Sequence, residues 1–322
     1  MLRRVFRLLP PVPARPPVSP PDVKSIVVFE PYYLGDLVMA TPALRALRKR
    51  FPGARIDLVA PSPAKGMENH LPWIDHVIPF RCPWTSDRIP YSAMALDTFR
   101  LLRRLRGGRY DVAIDLRGDL RIILLAYLSG AKRRVGFAIT GGEYLLTDVV
   151  PYDDEFLKHQ LEGNLEVVRF LGCDVSENLP GLAADPAAER DVAAFLGERP
   201  RPIVGIHPGA SKKNKLWEAG KWARLADRMT GDLQATVVIL QGPSAEESRM
   251  AETIRRLAVS GDRCVPYSGT VSHLVSVIRR LDLLVALDSF SSHVAAAVGT
   301  PFVALFGPQH PDLARPYHYN GR

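Results

Sequence analysis

Three short segments of the sequence place reactive side chains where a β-strand is expected to end and an α-helix to begin. They are Gly35-Asp36, the segment 207–215 and the segment 287–293. In open α/β sheets, ligands bind outside the carboxyl ends of the parallel strands. We therefore expect the three segments to contribute to one ligand-binding crevice.

Asp36 is the candidate general base. It follows the apolar run SIVVF (25–29) and the aromatic pair Tyr32-Tyr33, at the start of an expected helix. A carboxylate that faces a crevice accepts a proton from a hydroxyl nucleophile. The alternative is structural, because an Asp at the start of a helix also caps that helix.

The segment 207–215 is a candidate phosphate site. It has the sequence HPGAS from His207 to Ser211, followed by Lys212, Lys213 and Lys215. Gly209 allows the backbone to approach a ligand closely, and the lysines supply positive charge, so the segment suits a phosphate. It is not a Walker loop, since Gly-x-x-x-x-Gly-Lys-Ser/Thr does not occur. A solvated basic loop is the alternative.

The segment 287–293 carries an acid followed by hydroxyl groups at the start of an expected helix. Its candidate residues are Asp288, Ser289, Phe290, Ser291, Ser292 and His293. Backbone N–H groups and hydroxyls at the positive end of a helix bind anions. The alternative is a Ser-rich helix cap with no ligand.

These segments lie on a regular alternation of strands and helices, which predicts an α/β fold with doubly wound parallel sheets. A length of 322 residues suggests two domains. We expect an N-terminal Rossmann-like domain at 23–190 and a C-terminal one at 191–322. The Pro-containing segment 185–201 is expected to connect them.

Composition excludes several classes of function. The net charge of +8 suits an anionic substrate or a membrane surface, but no concentrated basic patch points to nucleic acid. No run of 18 apolar residues is present, and the three cysteines form no Cys-x-x-Cys pair. Gly-x-Gly-x-x-Gly, His-Glu-x-x-His and Asp-x-Asp are absent as well, so we expect neither a nicotinamide or flavin cofactor nor a metal centre.

Residues 1–22 differ from the rest of the chain. They contain seven of the 28 prolines and four arginines, which predicts an extended tail rather than a helix or strand. One interpretation is a disordered tail without a role. The other is an electrostatic contact with anionic lipid.

Four blocks in order resemble glycosyltransferase family 9, the heptosyltransferase-like family. They are GDLVMATPALRALRKRFPGARIDLV (35–59), YDVAIDLRGDLRIILLAYLSGAKRRVGF (110–137), IHPGASKKNKLWEAGKWARLA (206–226) and LLVALDSFSSHVAAAVGTPFVALFGP (283–308). The resemblance implies a GT-B fold, in which two Rossmann-like domains face each other across a cleft. It also implies inverting, metal-independent transfer from a nucleotide sugar, usually ADP-heptose, with no cofactor.

The usual acceptor in this family is the lipid-linked, anionic inner core of lipopolysaccharide. The resemblance therefore implies a cytoplasmic enzyme, peripheral on the cytoplasmic face of the inner membrane, with an acceptor-binding N-terminal domain and a donor-binding C-terminal domain. Arg117 and Arg121 flank the carboxyl end of the expected strand YDVAID and are candidates for binding an acidic acceptor. Surface arginines without a role are the alternative.

The resemblance also assigns roles to individual residues. Asp36 matches the family's proposed catalytic base, and Lys215 matches the lysine that contacts the donor phosphate. Asp288 and Ser289 match the acid and the hydroxyl near the donor, and His293 matches the histidine of the same motif.

Two features depart from the family pattern. Phe290 replaces the Gly that commonly follows the Asp-Ser/Thr pair, and the chain ends at Arg322, soon after the last motif. Phe290 favours an alternative donor, which would make the chain a UDP- or GDP-sugar transferase of capsule or O-antigen assembly. Both departures together leave open a non-catalytic nucleotide-sugar binding protein.

Overall fold

The computed structural model divides the chain into two compact units, residues 1–178 and 179–322. It describes residues 19–85, 90–152, 158–210, 212–242, 244–307 and 310–317. Most of the N-terminal tail and Ser211 lie outside these ranges, so the expectations for them stay predictions. The division comes earlier in the chain than the boundary at 190 that the sequence suggested.

The first unit contains a six-stranded sheet. Its strands are β1 Ser25–Phe29, β2 Arg55–Pro61, β3 His76–Phe80, β4 Val112–Asp115, β5 Arg133–Gly136 and β6 Asp148–Val149. All neighbouring pairs are parallel, in the order β3-β2-β1-β4-β5-β6, which is the Rossmann order. Phe29 at the end of β1 pairs with Asp115 at the end of β4. The residues that follow β1 and β4 therefore start from the same edge of the sheet.

In the described part of this unit, the sheet is accompanied by the helices α1 Leu34–Arg50, α2 Tyr91–Gly108, α3 Leu120–Leu128 and α4 Gln160–Phe170. Helices α2 and α3 cover one face, because Leu105 of α2 and Ile122 of α3 share a core cluster with Val27 and Phe29. Helices α1 and α4 pack against each other. All five residues of β1 are buried, as expected for a central strand of a parallel sheet.

The second unit repeats this architecture around five parallel strands. They are β7 Ile203–His207, β8 Thr236–Gln241, β9 Cys264–Ser268, β10 Leu283–Leu287 and β11 Phe302–Leu305, in the order β11-β10-β7-β8-β9. Its helices are α5 Pro186–Leu196, α6 Ala219–Asp232, α7 Ala245–Leu257, α8 Val271–Arg279, α9 Phe290–Val298 and α10 Pro311–Ala314. The expected fold class, α/β with two Rossmann-like doubly wound units, is confirmed.

One expectation from the sequence is wrong: the segment 185–201 is mainly the helix α5, not an extended connection. Pro186 is the first residue of the helix, where its missing N–H removes no intrahelical hydrogen bond. The side chain of Asp185 caps the helix by accepting a hydrogen bond from the N–H of Ala187, and its other oxygen accepts from the Ser272 hydroxyl at 2.6 Å. These contacts join α5 to the second unit.

Within the described ranges, none of the helices combines the length and the apolar character needed to cross a bilayer.

Candidate active site

Asp36 lies in the first turn of α1, as its third residue. The helix begins at Leu34, and Tyr33 occupies the N-cap position, so Asp36 is not the N-cap residue that the structural alternative would make it. The Oδ2 atom of Asp36 lies 3.6 Å from Nη1 of Arg117. A carboxylate in the first turn is also stabilised by the positive end of the helix dipole.

Arg117 follows the end of β4 by two residues and reaches back to the segment after β1. Its Nη1 atom lies 3.8 Å from Oε1 of Glu30, and its guanidinium stacks over the Tyr32 ring at 4.4 Å. Only 19% of the side chain is exposed. Burial lowers the pKa of Arg117, but the carboxylates of Glu30 and Asp36 outweigh burial and raise it overall. The guanidinium is therefore a permanent positive charge among acids.

Glu30 is a residue that the sequence analysis overlooked. It directly follows β1, its side chain is fully buried, and neither carboxylate oxygen accepts a well-formed hydrogen bond within the described residues. Burial raises the pKa of Glu30 well above its usual range, Arg117 opposes this, and the nearby Asp36 and Asp115 reinforce it. The signal in the sequence was a carboxylate placed immediately after a buried strand.

Asp115, the last residue of β4, completes this group. Its Oδ1 atom accepts a hydrogen bond from the Arg117 N–H at 2.8 Å, and burial raises its pKa to about 7. We name Arg117 with Glu30, Asp36 and Asp115 the Arg117 cluster. With three carboxyl groups around one guanidinium, the net charge of the cluster depends on how many of the acids are protonated.

Arg121 takes a different position from Arg117. Its guanidinium pairs with both carboxylate oxygens of Asp119, at 2.8 and 2.5 Å, and stacks over the Trp84 ring at 4.5 Å. The Tyr32 hydroxyl donates to Asp119 at 2.6 Å, so Asp119 links Arg121 to the segment before α1. About half of the Arg121 side chain, 51%, is exposed.

In the second unit, the structure brings Lys215 and Asp288 together. The Nζ atom of Lys215 lies 2.5 Å from Oδ2 of Asp288, and both side chains are largely buried. Lys215 ends a short 3-10 turn, Lys213–Lys215, and Asp288 directly follows β10. The ammonium also donates to the Asp288 carbonyl oxygen at 3.4 Å. Because a lysine ammonium has three hydrogen-bond donors, one donor is left for a further anion.

His207 ends β7, next to β10, and meets the hydroxyl groups that follow β10. Its Nδ1 atom lies 2.7 Å from the Ser291 Oγ and 3.3 Å from the Ser289 Oγ. Burial lowers the pKa of His207 to about 4, so the imidazole is neutral at pH 7. Its Nε2 atom is buried without a hydrogen-bond partner among the described residues.

Helix α9 begins at Phe290, which is half-buried, after Ser289 at the capping position. The Ser289 side chain makes no capping hydrogen bond and instead meets Ser291 at 3.0 Å. The Ser292 hydroxyl donates to the Ser289 carbonyl at 2.7 Å, and His293 is buried. The first turn of α9 therefore lacks the usual hydroxyl cap over its N–H groups, which suits an anion at this end.

Gly209 lies in the buried loop after β7, beside a second acid that the sequence analysis overlooked. A Cβ atom at Gly209 would lie 2.6 Å from Oε1 of Glu247, so only glycine fits without displacing that side chain. Burial also raises the pKa of Glu247.

No group of three His, Cys, Asp or Glu side chains within the described ranges is arranged to hold a metal ion.

Comparison with known proteins identifies the family. The model of glycosyltransferase family 9 (heptosyltransferase) matches residues 98–322. Lipopolysaccharide heptosyltransferase 2 of Escherichia coli K12 is 27% identical over 317 residues, which cover 92% of this chain and 87% of that protein. Lipooligosaccharide heptosyltransferase 2 of Haemophilus influenzae is 27% identical over 316 residues, with 91% and 86% covered.

Solved structures agree with this assignment. The E. coli ADP-heptose lipopolysaccharide heptosyltransferase II has a TM-score of 0.76 to this chain at 25% identity, covering 92% of this chain and 89% of that one. The family 9 glycosyltransferase of Veillonella parvula shares the fold, with a TM-score of 0.78 at 24% identity and coverage of 91% and 84%. The chain belongs to glycosyltransferase family 9 and is a glycosyltransferase.

Proposed function

We propose that this enzyme transfers heptose from ADP-heptose to the inner core of lipopolysaccharide, with inversion at the anomeric carbon and without a metal ion. The similarity to heptosyltransferases that act on lipopolysaccharide, one of them identified with ADP-heptose, supports the substrates. The observation that carries the chemistry is Asp36, held 3.6 Å from a buried guanidinium at the start of α1.

Asp36 is the base in this proposal. As the acceptor oxygen attacks the anomeric carbon, its proton passes to the Asp36 carboxylate. The bond between the anomeric carbon and the phosphate oxygen breaks, and the electron pair leaves with the nucleoside diphosphate. Because the attack comes from the side opposite the leaving group, the configuration inverts. Arg117 favours the ionised form of Asp36, which is the form that accepts a proton.

The residues of the second unit bind the donor in this proposal. Negative charge builds up on the diphosphate as it leaves, and Lys215 and the first turn of α9 are placed to stabilise charge of that sign. The hydroxyls of Ser289, Ser291 and Ser292 supply hydrogen bonds, and the neutral imidazole of His207 holds two of them. In this proposal Lys215 keeps its two contacts with Asp288 while its third donor binds a phosphate oxygen.

The first unit binds the acceptor in this proposal. Of the two candidate arginines, Arg121 is the more accessible to an anionic group, with 51% of its side chain exposed against 19% for Arg117. The carboxylates of the Arg117 cluster balance the charge of Arg117. Because the acceptor is lipid-linked, we place the enzyme peripherally on the cytoplasmic face of the inner membrane.

Phe290 favours a second candidate function, transfer from a UDP- or GDP-sugar for capsule or O-antigen assembly. Phe290 is the first residue of α9, at the end of the helix where we propose that the diphosphate binds. The size of its ring would therefore affect which nucleotide sugar fits. A chain that binds a nucleotide sugar without transferring it is the non-catalytic alternative.

A thermal-shift panel of ADP-, UDP- and GDP-sugars, followed by a transfer assay, tests these alternatives. A specific ligand at about 100 times its Kd stabilises the protein by about 2.7 kcal/mol and raises Tm. We expect ADP-heptose to give the largest shift and a product of inverted anomeric configuration by NMR. A larger shift with a UDP- or GDP-sugar would favour the second candidate, and binding without transfer would favour the third.

A further inference from the structure

Helices α2 and α3 expose apolar side chains on the side that points away from the sheet. Phe99 of α2 is 64% exposed and Leu124 of α3 is 44% exposed, and Leu96 and Tyr127 are exposed beside them along the same two helices. Residues 96 and 99 are three positions apart, as are residues 124 and 127, so each pair lies on one side of its helix. These residues belong to no core cluster of the described chain that would account for their apolar character.

The two exposed stripes lie side by side. Leu101 and Leu105 of α2 share a core cluster with Ile122 of α3, so both helices turn their buried sides to the same face of the sheet. The side chain of Arg106 donates to the Leu128 carbonyl at 3.0 Å, which joins the ends of the helices. Their outward sides therefore form one surface.

The same surface is positively charged. Arg100 and Arg103 are exposed on α2, next to the apolar stripe. The only acid of α2 is Asp97, whose charge is balanced by Arg81 at 2.6 Å and Arg100 at 3.8 Å. We name Leu96, Phe99, Arg100, Arg103, Leu124 and Tyr127 the α2–α3 face.

The apolar side chains and arginines of the α2–α3 face together favour one kind of partner. Apolar side chains flanked by arginines are typical of helices that lie in the interface of an anionic membrane, where the apolar groups enter the acyl boundary and the arginines meet phosphates. A second copy of the chain fits less well, because a symmetric contact brings the same arginines together. We propose that the α2–α3 face binds the surface of an anionic lipid bilayer.

The proposal places the lipid next to the acceptor side of the first unit. Helix α3 begins at Leu120, five residues after β4 ends at Asp115, at the edge of the sheet where Arg117 and Asp36 meet. A face at this position brings a lipid-linked acceptor close to the proposed base. The inference rests on the peripheral placement in the proposed function and names the face of the first unit that makes the contact. Binding to lipid requires neither the donor nor catalysis.

Vesicle flotation with the full chain tests the proposal. The probes are vesicles of phosphatidylcholine alone and of phosphatidylcholine with phosphatidylglycerol, at low salt. The charge variant is R100Q/R103Q, with R255Q/R256Q on the exposed side of α7 as its matched control. The apolar variant is F99S/L124S, with L257S/V259S as its control, since Leu257 and Val259 are exposed apolar residues of the second unit.

We expect the parent to bind the anionic vesicles and not the neutral ones. An arginine near an anionic surface contributes about fivefold to binding, so R100Q/R103Q should bind at least about 20-fold more weakly. F99S/L124S should lose about tenfold or more, because it removes the apolar groups that enter the bilayer. Both controls should bind like the parent, and all variants should melt near the parent, because the changed side chains are exposed.

Three results would overturn the proposal: a parent that does not bind anionic vesicles, face variants that bind like the parent, and a parent dimer that the face variants dissociate in light scattering. Transfer to a delipidated acceptor separates this test from that of the proposed function. The face variants should retain it while losing transfer to acceptor in vesicles. A parent that transfers no sugar but binds vesicles through this face would contradict only the proposed function.

Discussion

The guanidinium of Arg117 lies 3.6 Å from the carboxylate of Asp36. This contact joins the segment after β4 to the first turn of α1, and on its other side Arg117 lies 3.8 Å from the fully buried Glu30. Arg117 thus places one positive charge beside the proposed base and beside an acid that water does not reach. Both contacts lead to measurable consequences.

Replacing Arg117 by Gln should affect catalysis and stability together. Without the positive charge, the pKa of Asp36 rises, so the acidic limb of the pH–rate profile should move to higher pH. The free energy of unfolding should fall by about 3 kcal/mol at alkaline pH, where buried acids remain charged, and by less at acidic pH, where they take up protons. Kinetics from pH 5 to pH 9 and urea unfolding at both ends test this.

Arg121→Gln is the matched control for this experiment. Its side chain is half exposed, although that of its partner Asp119 is only 14% exposed, so the loss in stability should stay smaller than for Arg117→Gln, at about 1 kcal/mol. In our proposal Arg121 contacts the acceptor, so KM for the acceptor should rise without a shift of the acidic limb. An Arg117→Gln profile that coincides with the parent's would contradict the role assigned to Arg117.

Glu30→Gln should change how stability depends on pH. Burial raises the pKa of Glu30, so the folded chain binds more protons there than the unfolded chain. The contribution of Glu30 to the free energy of unfolding is therefore present at low pH and is lost as pH rises through the folded pKa. Glutamine does not titrate. The stability of Glu30→Gln relative to the parent should thus increase between about pH 5 and pH 8.

Two further variants complete the pH experiment. Asp115→Asn should show a change of the same sign, because burial raises the pKa of Asp115 to about 7. Glu252→Gln, on the exposed side of α7, is the matched surface control. Urea unfolding of all four proteins across the pH range measures the differences. A relative stability of Glu30→Gln that falls with pH would show that Glu30 is charged in the folded protein.

Lys215→Ala should weaken the binding of ADP as well as slow transfer. A hydrogen bond to a charged group contributes about 1.5–3 kcal/mol, so the Kd for ADP should rise by about 10- to 100-fold. Lys212→Ala is the control, since Lys212 is exposed in the same segment. Isothermal titration calorimetry measures both. If Lys212→Ala bound ADP weakly while Lys215→Ala bound it normally, the wrong lysine would have been assigned.

Transfer should continue in excess EDTA. In our proposal the charge of the leaving diphosphate is met by Lys215 and the first turn of α9, which takes the place of a divalent cation. Initial rates with and without chelator, at saturating donor, measure this. Loss of transfer in EDTA and its recovery with Mg²⁺ or Mn²⁺ would contradict the assignment of the phosphate site.

Much of the fold could be predicted from the sequence because buried parallel strands are short apolar runs. SIVVF (25–29) and LLVAL (283–287) are examples, and both are central strands in the structure. Helix α5 was missed because Pro186 at its start and Pro200 after its end suggested a connection. Pro186 stands at the one helical position where proline costs nothing, and the cap by Asp185 becomes visible only in the structure.

The positions of the site residues could be predicted, but their partners could not. Asp36, Arg117 and Asp288 all follow strand ends, which a pattern of alternating elements locates. The pairing of Lys215 with Asp288 joins residues 73 positions apart, and local sequence does not specify such a contact. Glu30 was overlooked because its place directly after β1 locates the residue at the sheet edge but does not show that its carboxylate is buried.

Single-turnover transfer by Asp36→Asn, at saturating donor and acceptor, tests the central claim most directly. Asparagine keeps the size and shape of the side chain but does not accept the proton, and removal of a general base costs about 10²–10⁴-fold in rate. We expect the variant to melt within about 5 °C of the parent, to bind ADP normally and to transfer sugar at least about 100-fold more slowly. Transfer near the parental rate by a well-folded Asp36→Asn would show that Asp36 is not the base.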